Sequence, residues 1–177
     1  MEKDWNIIEI LSYSRHDWLN KLQLIKGNLA LNKLDRVREI IEEIVIEAQH
    51  DSKLTNLNLP LLGVFLMTYN WGQHRFQIEY EVLGEIKDLS QNDELITSWC
   101  KELFTLIDEV VESRTDNHLS ITIELDTSAT RFFFDFRGIL TDSDKIATWL
   151  SFYENVETIK LIQYQVHKKE MTVAISI

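Results

Sequence analysis

The run Arg15-His16-Asp17-Trp18-Leu19-Asn20-Lys21-Leu22 sets an imidazole among a carboxylate, an amide and two cations within about two helical turns. An imidazole is largely neutral near pH 7 and keeps a lone pair on one ring nitrogen. A displayed histidine therefore suits the role of an intermediate carrier, taking up a phosphoryl group and handing it on, and we read His16 as a phosphoacceptor. Asp17 either accepts a hydrogen bond from one ring nitrogen, fixing the tautomer, or is a plain surface charge. Arg15 either offsets charge on the transferring phosphoryl group or pairs with a carboxylate across a helical bundle. Asn20 shares the histidine's side of the helix. Lys21, Gln23, Leu24 and Gly27 are the candidates for a docking surface, Gly27 alternatively serving close approach of a neighbour. Taken alone, an exposed helical histidine is inert surface more often than functional.

The element that must present these groups is a long helix, expected over residues 4 to 32. Ile8, Leu11, Arg15, Trp18, Leu22, Ile25 and Leu29 are spaced 3, 4, 3, 4, 3, 4, a heptad seam broken once by arginine. A second row, Glu9, Ser12, His16, Asn20, Gln23 and Gly27, is entirely non-apolar. Asn32-Lys33-Leu34-Asp35 interrupts the pattern, and Asp35 suits the N-cap of a second helix over about 35 to 56. Val37, Ile40, Ile41, Ile44, Val45 and Ala48 form its apolar face, with Arg36, Arg38, Glu39, Glu42, Glu43 and Glu47 as solvated surface. The short connection makes an antiparallel hairpin. Two helices cannot enclose a core, so the hairpin either pairs with a second copy into a four-helix bundle, the expected homodimer, or packs on its own C-terminal domain.

Composition limits the partners. The net charge of −11 argues against nucleic acid or an anionic membrane, both of which require a basic face. Residues 1–58 carry 10 acidic and 8 basic groups, whereas the other 119 residues carry 19 and 10. The hairpin is thus nearly neutral and the remainder acidic. One cysteine, Cys100, excludes an intrachain disulfide. A charged opening and no long apolar run give the expectation of a soluble, cytoplasmic protein. The five glycines are scattered singly, and no P-loop or dinucleotide fingerprint occurs. His74, His118 and His167 share no metal-ligand spacing, and His50-Asp51 reads as a polar surface pair.

The domains expected are a helical hairpin, residues 1–58, and an α+β domain, residues 59–177. Pro60 opens a third helix, Leu61 to about Gln73. A strand follows at Phe76–Leu83, then an amphipathic helix over 92 to 113. Strands at Leu119–Leu125 and Phe132–Arg137 form a hairpin, Asp142–Phe152 a short helix, and Ile159–Val166 with Met171–Ile177 a second hairpin. The sheet is expected to be mostly antiparallel, with helices on one face.

The Arg15–Leu22 run resembles the H-box of sensor histidine kinases, in the variant found in citrate and dicarboxylate sensors and in sporulation phosphotransferases of bacilli. The longer run Ser14 to Asn28, Ile40-Ile41-Glu42-Glu43 in the second helix and Glu79-Tyr80-Glu81-Val82-Leu83-Gly84-Glu85-Ile86-Lys87-Asp88-Leu89-Ser90 look like the latter family. The resemblance implies a dimeric four-helix bundle. It also implies phosphoryl transfer from the aspartyl-phosphate of one response-regulator receiver domain, through His16, to the aspartate of a second. No cofactor would belong to the chain; Mg²⁺ would come with the receiver. The alternatives are a degenerate sensor kinase and a module that only binds a response regulator. The kinase Asn that binds magnesium lies in a Leu-Ile-Asp-Asn pattern, and Leu106-Ile107-Asp108-Glu109 carries Glu109 in its place. Asp135-Phe136-Arg137-Gly138 lacks the glycine pair of the adenine motif, and the glycine-rich lid is missing. The C-terminal part therefore resembles an α/β kinase ATPase domain without its nucleotide site.

Overall fold

The computed structural model describes residues 6–156 and 158–177. The chain divides into two compact units, residues 1–51 and 52–177.

The first unit is built from α1 (Ile7–Ala30) and most of α2 (Leu34–Thr55). Asn6 caps α1: its side chain accepts from the Glu9 amide at 3.0 Å, while the Glu9 carboxylate reaches back to the Asn6 amide at 3.3 Å, a capping box. Positions 4 and 5, where the sequence pattern would start the helix, lie outside the described residues. At the other end Asn32 adopts φ +54°, and Lys33 N–H reaches back to the Asn28 carbonyl at 2.9 Å. This left-handed stop ends α1 two residues before the expected position. Asp35 is not the cap of α2. The helix begins a residue earlier, and Asp35 sits in its first turn, paired with Arg38 at 3.3 Å.

The second unit carries α3 (Pro60–Tyr69), β1 (Gln77–Gly84), α4 (Asp93–Val110), β2 (His118–Leu125), β3 (Thr130–Arg137), α5 (Ser143–Ser151), β4 (Lys160–Val166) and β5 (Glu170–Ser176). The five strands run in the order β1-β2-β3-β5-β4. Three of the four pairings are antiparallel, and β1 with β2 is parallel, the connection between them passing through α4. One sheet face is apolar: Ile78 and Val82, Leu119, Ile121 and Ile123, Phe132, Phe134 and Phe136, Met171, Val173 and Ile175 are all buried, as is Ala174 from the other face. Trp99, Leu103, Phe104 and Ile107 of α4, Leu62 and Leu66 of α3, and Ile146 and Leu150 of α5 share their core. The opposite face presents Glu79, Ser120, Asp135 and Thr172.

Two helices stop earlier than their apolar pattern suggests, each because the chain beyond takes other hydrogen-bond partners. α3 ends at Tyr69, where the Asn70 side chain turns to the strand, accepting from Ile78 N at 2.9 Å and donating to Ile78 O at 2.7 Å. α4 ends at Val110, and Val111 becomes extended and bridges Leu140. α2 itself runs on into the second unit. Leu54 and Leu57 are fully buried in that core, and Lys53 Nζ donates to the Val82 carbonyl at 3.0 Å. Asp93, also buried, satisfies the start of α3 by accepting from Leu61 N and Leu62 N at 2.9 and 3.0 Å.

Candidate functional site

His16 lies in the third turn of the exposed helix α1, and its imidazole is exposed. Two stripes of α1 explain its direction. Apart from Glu9 of the capping box, the partly covered positions are Ile10, Ser14, Asp17, Lys21, Ile25 and Asn28, which form the side turned to α2. Ile8, Leu11, Trp18, Leu22 and Leu29 form a second stripe about a quarter-turn away. That stripe is apolar yet open: Trp18 is 50% and Leu22 54% exposed. The bisector of the two stripes points into a bundle, and His16 points roughly the opposite way, with Ser12, Asn20, Gln23 and Gly27 beside it. α2 repeats the pattern. Val37, Ile40, Ile44 and Glu47 face α1, and Leu34, Ile41, Val45 and Ala48 form an open stripe about a quarter-turn round.

The imidazole has one polar neighbour among the hydrogen bonds of α1. Nδ2 of Asn20 lies 3.2 Å from Nδ1 of His16. With the amide nitrogen toward the ring, Asn20 donates to Nδ1 and the proton of the neutral imidazole sits on Nε2. With the amide turned over, Oδ1 accepts from Nδ1–H and Nε2 keeps the lone pair. Either way Nδ1 is occupied and Nε2 faces solvent.

Asp17 does not make the contact with His16 that its place in sequence suggested. Its carboxylate pairs with Lys21 at 3.1 Å, and the same ammonium reaches Glu47 of α2 at 2.7 Å. Lys21 is correspondingly drawn in, its side chain 21% exposed. Burial works against its charge, but the hydrogen bonds and charges of Glu47 and Asp17 outweigh that cost and hold Lys21 above its ordinary value. Lys21 therefore lies on the hairpin side of α1, away from the docking row to which the sequence assigned it. Gln23, Leu24 and Gly27 are exposed on the side of His16. Gly27 meets nothing: a Cβ there would have no neighbour within 4 Å, so no close approach within the chain accounts for it. Arg15 is exposed at the edge of the apolar stripe and makes no ion pair among the described residues.

Glu47 is the residue that reading the sequence missed, having been counted as solvated surface. The signal was present: Val37, Ile40, Ile44 and Glu47 are spaced 3, 4, 3, so the glutamate continues an apolar inner stripe. In the second unit, Glu109 is ion-paired with Lys145 across α4 and α5. Cys100 is buried, and burial pushes its thiol up, which leaves it unreactive. No helix among the described residues is long and apolar enough to cross a membrane.

Known proteins match this chain along its whole length. Residues 1–57 match the family described as "Sensor_kinase_SpoOB-type, alpha-helical domain", and residues 58–177 match "Sporulation initiation phospho-transferase B, C-terminal". Sporulation initiation phosphotransferase B of Bacillus subtilis (strain 168) is 49% identical over 138 residues, spanning 77% of this chain and 72% of that protein. Among solved structures, the histidine kinase domain of an Erythrobacter litoralis blue-light activated histidine kinase is 13% identical, covering 68% of this chain and 60% of that one, with a TM-score of 0.48. A bacterial phosphotransferase is 11% identical over 98% of both chains, with a TM-score of 0.40. The chain belongs to the sporulation initiation phosphotransferase B family.

Proposed function

We propose that this chain is a cytoplasmic phosphorelay phosphotransferase of sporulation initiation, in which His16 takes a phosphoryl group from the aspartyl-phosphate of one response-regulator receiver domain and passes it to the aspartate of a second. The observation that carries the reading is the outward-facing, exposed imidazole whose Nδ1 is engaged by Asn20. With the Asn20 amide turned so that Oδ1 accepts from Nδ1–H, Nε2 keeps its lone pair and is the nucleophile. Its lone pair forms the N–P bond as the P–O bond to the donor carboxylate breaks, the electron pair leaving with that carboxylate. The Nδ1 proton stays in place against Asn20 Oδ1. Transfer onward reverses these roles on the second receiver. Such loose, in-line displacement asks mainly for position from the histidine side. Mg²⁺ belongs to the receiver domain. Arg15 lies beside the histidine, where its charge offsets that of the transferring group, and Gln23, Leu24 and Gly27 extend the docking row.

The protein works as a homodimer. On each helix of the hairpin, a stripe facing the sister helix and an open apolar stripe lie about a quarter-turn apart, which is the pattern of a corner of a four-helix bundle. No residue of the 24-residue α1 is buried within its own chain. Pairing two hairpins through Leu11, Trp18, Leu22, Ile41 and Val45 would cover that surface and leave both histidines outward.

Incubation with a phosphorylated receiver domain tests the reading. The wild-type chain is expected to acquire acid-labile, base-stable phosphate and to deliver it to a second receiver, and His16→Gln to do neither. Labelling of His16 by ATP alone, or relay that survives His16→Gln, overturns it.

A further inference from the structure

The three-member chain Glu47–Lys21–Asp17 ends on the residue next to His16, and the proposed transfer chemistry leaves it without a role. It runs from the inner stripe of α2 to the inner stripe of α1, with Nζ of Lys21 at 2.7 Å from Glu47 and 3.1 Å from Asp17. A charge clamp on an inner stripe differs from an apolar contact in one respect. Apolar side chains tolerate slippage, whereas an ammonium held between two carboxylates on different helices fixes the register and rotation of one helix on the other. Rotation of α1 decides where His16 points. The clamp also decides what the Asp17 carboxylate does. Carboxylate oxygens accept hydrogen bonds, and an Asp17 carboxylate released from Lys21 would be a competing acceptor for the Nδ1–H of the neighbouring imidazole. With Lys21 holding Asp17 on the hairpin side, Asn20 has that donor to itself.

We propose that Lys21, anchored by Glu47, is a positioning residue for His16. It fixes the rotation of α1 and withholds the Asp17 carboxylate from the imidazole, so that the neutral amide of Asn20 sets the ring's orientation and tautomer. This rests on the reading of His16 as phosphoacceptor. It also gives Lys21 a role distinct from receiver docking.

Two measurements on the full chain test it. The first is the single-turnover rate of transfer from a phosphorylated receiver, at saturating and at half-saturating receiver. Lys21→Gln is expected to lower the saturating rate between about ten- and a hundredfold, the scale of a misplaced reacting group, with the half-saturating concentration unchanged. Lys21→Arg, which keeps both ion pairs, retains most of the rate, and Glu47→Gln loses part of it. In an Asp17→Asn background the cost of Lys21→Gln shrinks markedly, because no carboxylate is left to release. The second is ¹⁵N NMR of the imidazole. Lys21→Gln is expected to disturb the His16 nitrogen shifts, and Asp17→Asn to restore them. A raised half-saturating concentration with an unchanged saturating rate makes Lys21 a docking residue and overturns the proposal. So does an equal cost of Lys21→Gln in both backgrounds. Relay that survives His16→Gln removes the phosphoacceptor reading instead, and the imidazole shifts still report whether the clamp acts on the ring.

Discussion

Asn20 and His16 stand one turn apart on α1, with the side-chain amide of the first 3.2 Å from Nδ1 of the second. The pair sits on the exposed side of the helix, and Asn20 is the amide that must choose the imidazole's tautomer. Asn20→Ala removes the choice without touching the hairpin contact. It is expected to lower the phosphotransfer rate about three- to tenfold, the worth of one net hydrogen bond, while thermal unfolding stays close to wild type. An unchanged rate would release Asn20 from the site.

Gly27 is exposed in the last turn of α1, with open space where a Cβ would stand. Gly27→Ala should therefore stabilise the protein by about 0.8–1 kcal/mol, the helix-propensity difference, readable as a higher midpoint in urea. If the docking row is used as proposed, the same change weakens receiver binding, measured by titration calorimetry. Gain in stability together with loss in affinity is the expected signature; unchanged affinity removes Gly27 from the interface.

Leu22 lies in the open apolar stripe of α1, away from the histidine row. Leu22→Asp is expected to convert a dimer to a monomer in sedimentation equilibrium and to reduce α1 helicity in circular dichroism. A dimer that persists would show that another surface assembles the protein.

Gly84 ends β1 at φ +93°, and a Cβ there would overlap the Leu125 carbonyl oxygen on the paired strand. Gly84→Ala should destabilise the protein by about 1–3 kcal/mol, the cost of a side chain in that region with a backbone clash. Thermal denaturation checks this, and the Asn20–His16 pair should be untouched.

Glu79 gives a pH prediction. The Ser120 hydroxyl, donating at 2.6 Å, outweighs desolvation and, with His118 at 3.2 Å, holds the carboxyl below its ordinary value of 4.5. A carboxyl depressed on folding contributes stability that is present above 4.5 and lost as pH falls through the lower folded value. Glu79→Gln should therefore be less stable than wild type at pH 7 and equal to it in strong acid. A gap that stays constant with pH refutes the assignment.

The elements were legible because their periods are clean. The 3.6-residue rows of α1, α2 and α4 and the alternation Gln77-Ile78-Glu79-Tyr80-Glu81-Val82 each have one reading. Boundaries were less legible where a side chain replaces a backbone partner, as Asn70 does at Ile78. The parallel pairing of β1 with β2 cannot be seen in either strand's own pattern, since alternation reports which face is buried and not which neighbour is paired. The polar row that carries His16 was legible from spacing, whereas the role read for the histidine came from the resemblance of the Arg15–Leu22 run. The partner of Asp17 was not, because Lys21 is equally placed in sequence for ion pairing along α1 and for docking, and only the third member, Glu47 on another helix, decides between them.

The absence of any buried side chain in α1 has a consequence for dose. Within a single chain this helix is held by its capping box, its pairs along one face and the charge clamp, a small sum beside the entropy of ordering 24 residues. In the proposed homodimer the remainder comes from association, and association obeys mass action. Dilution then loosens the nucleophile's helix before it touches the sheet. The number of competent histidines in a cell would rise more steeply than the number of chains, so that expression level acts as a threshold on the relay.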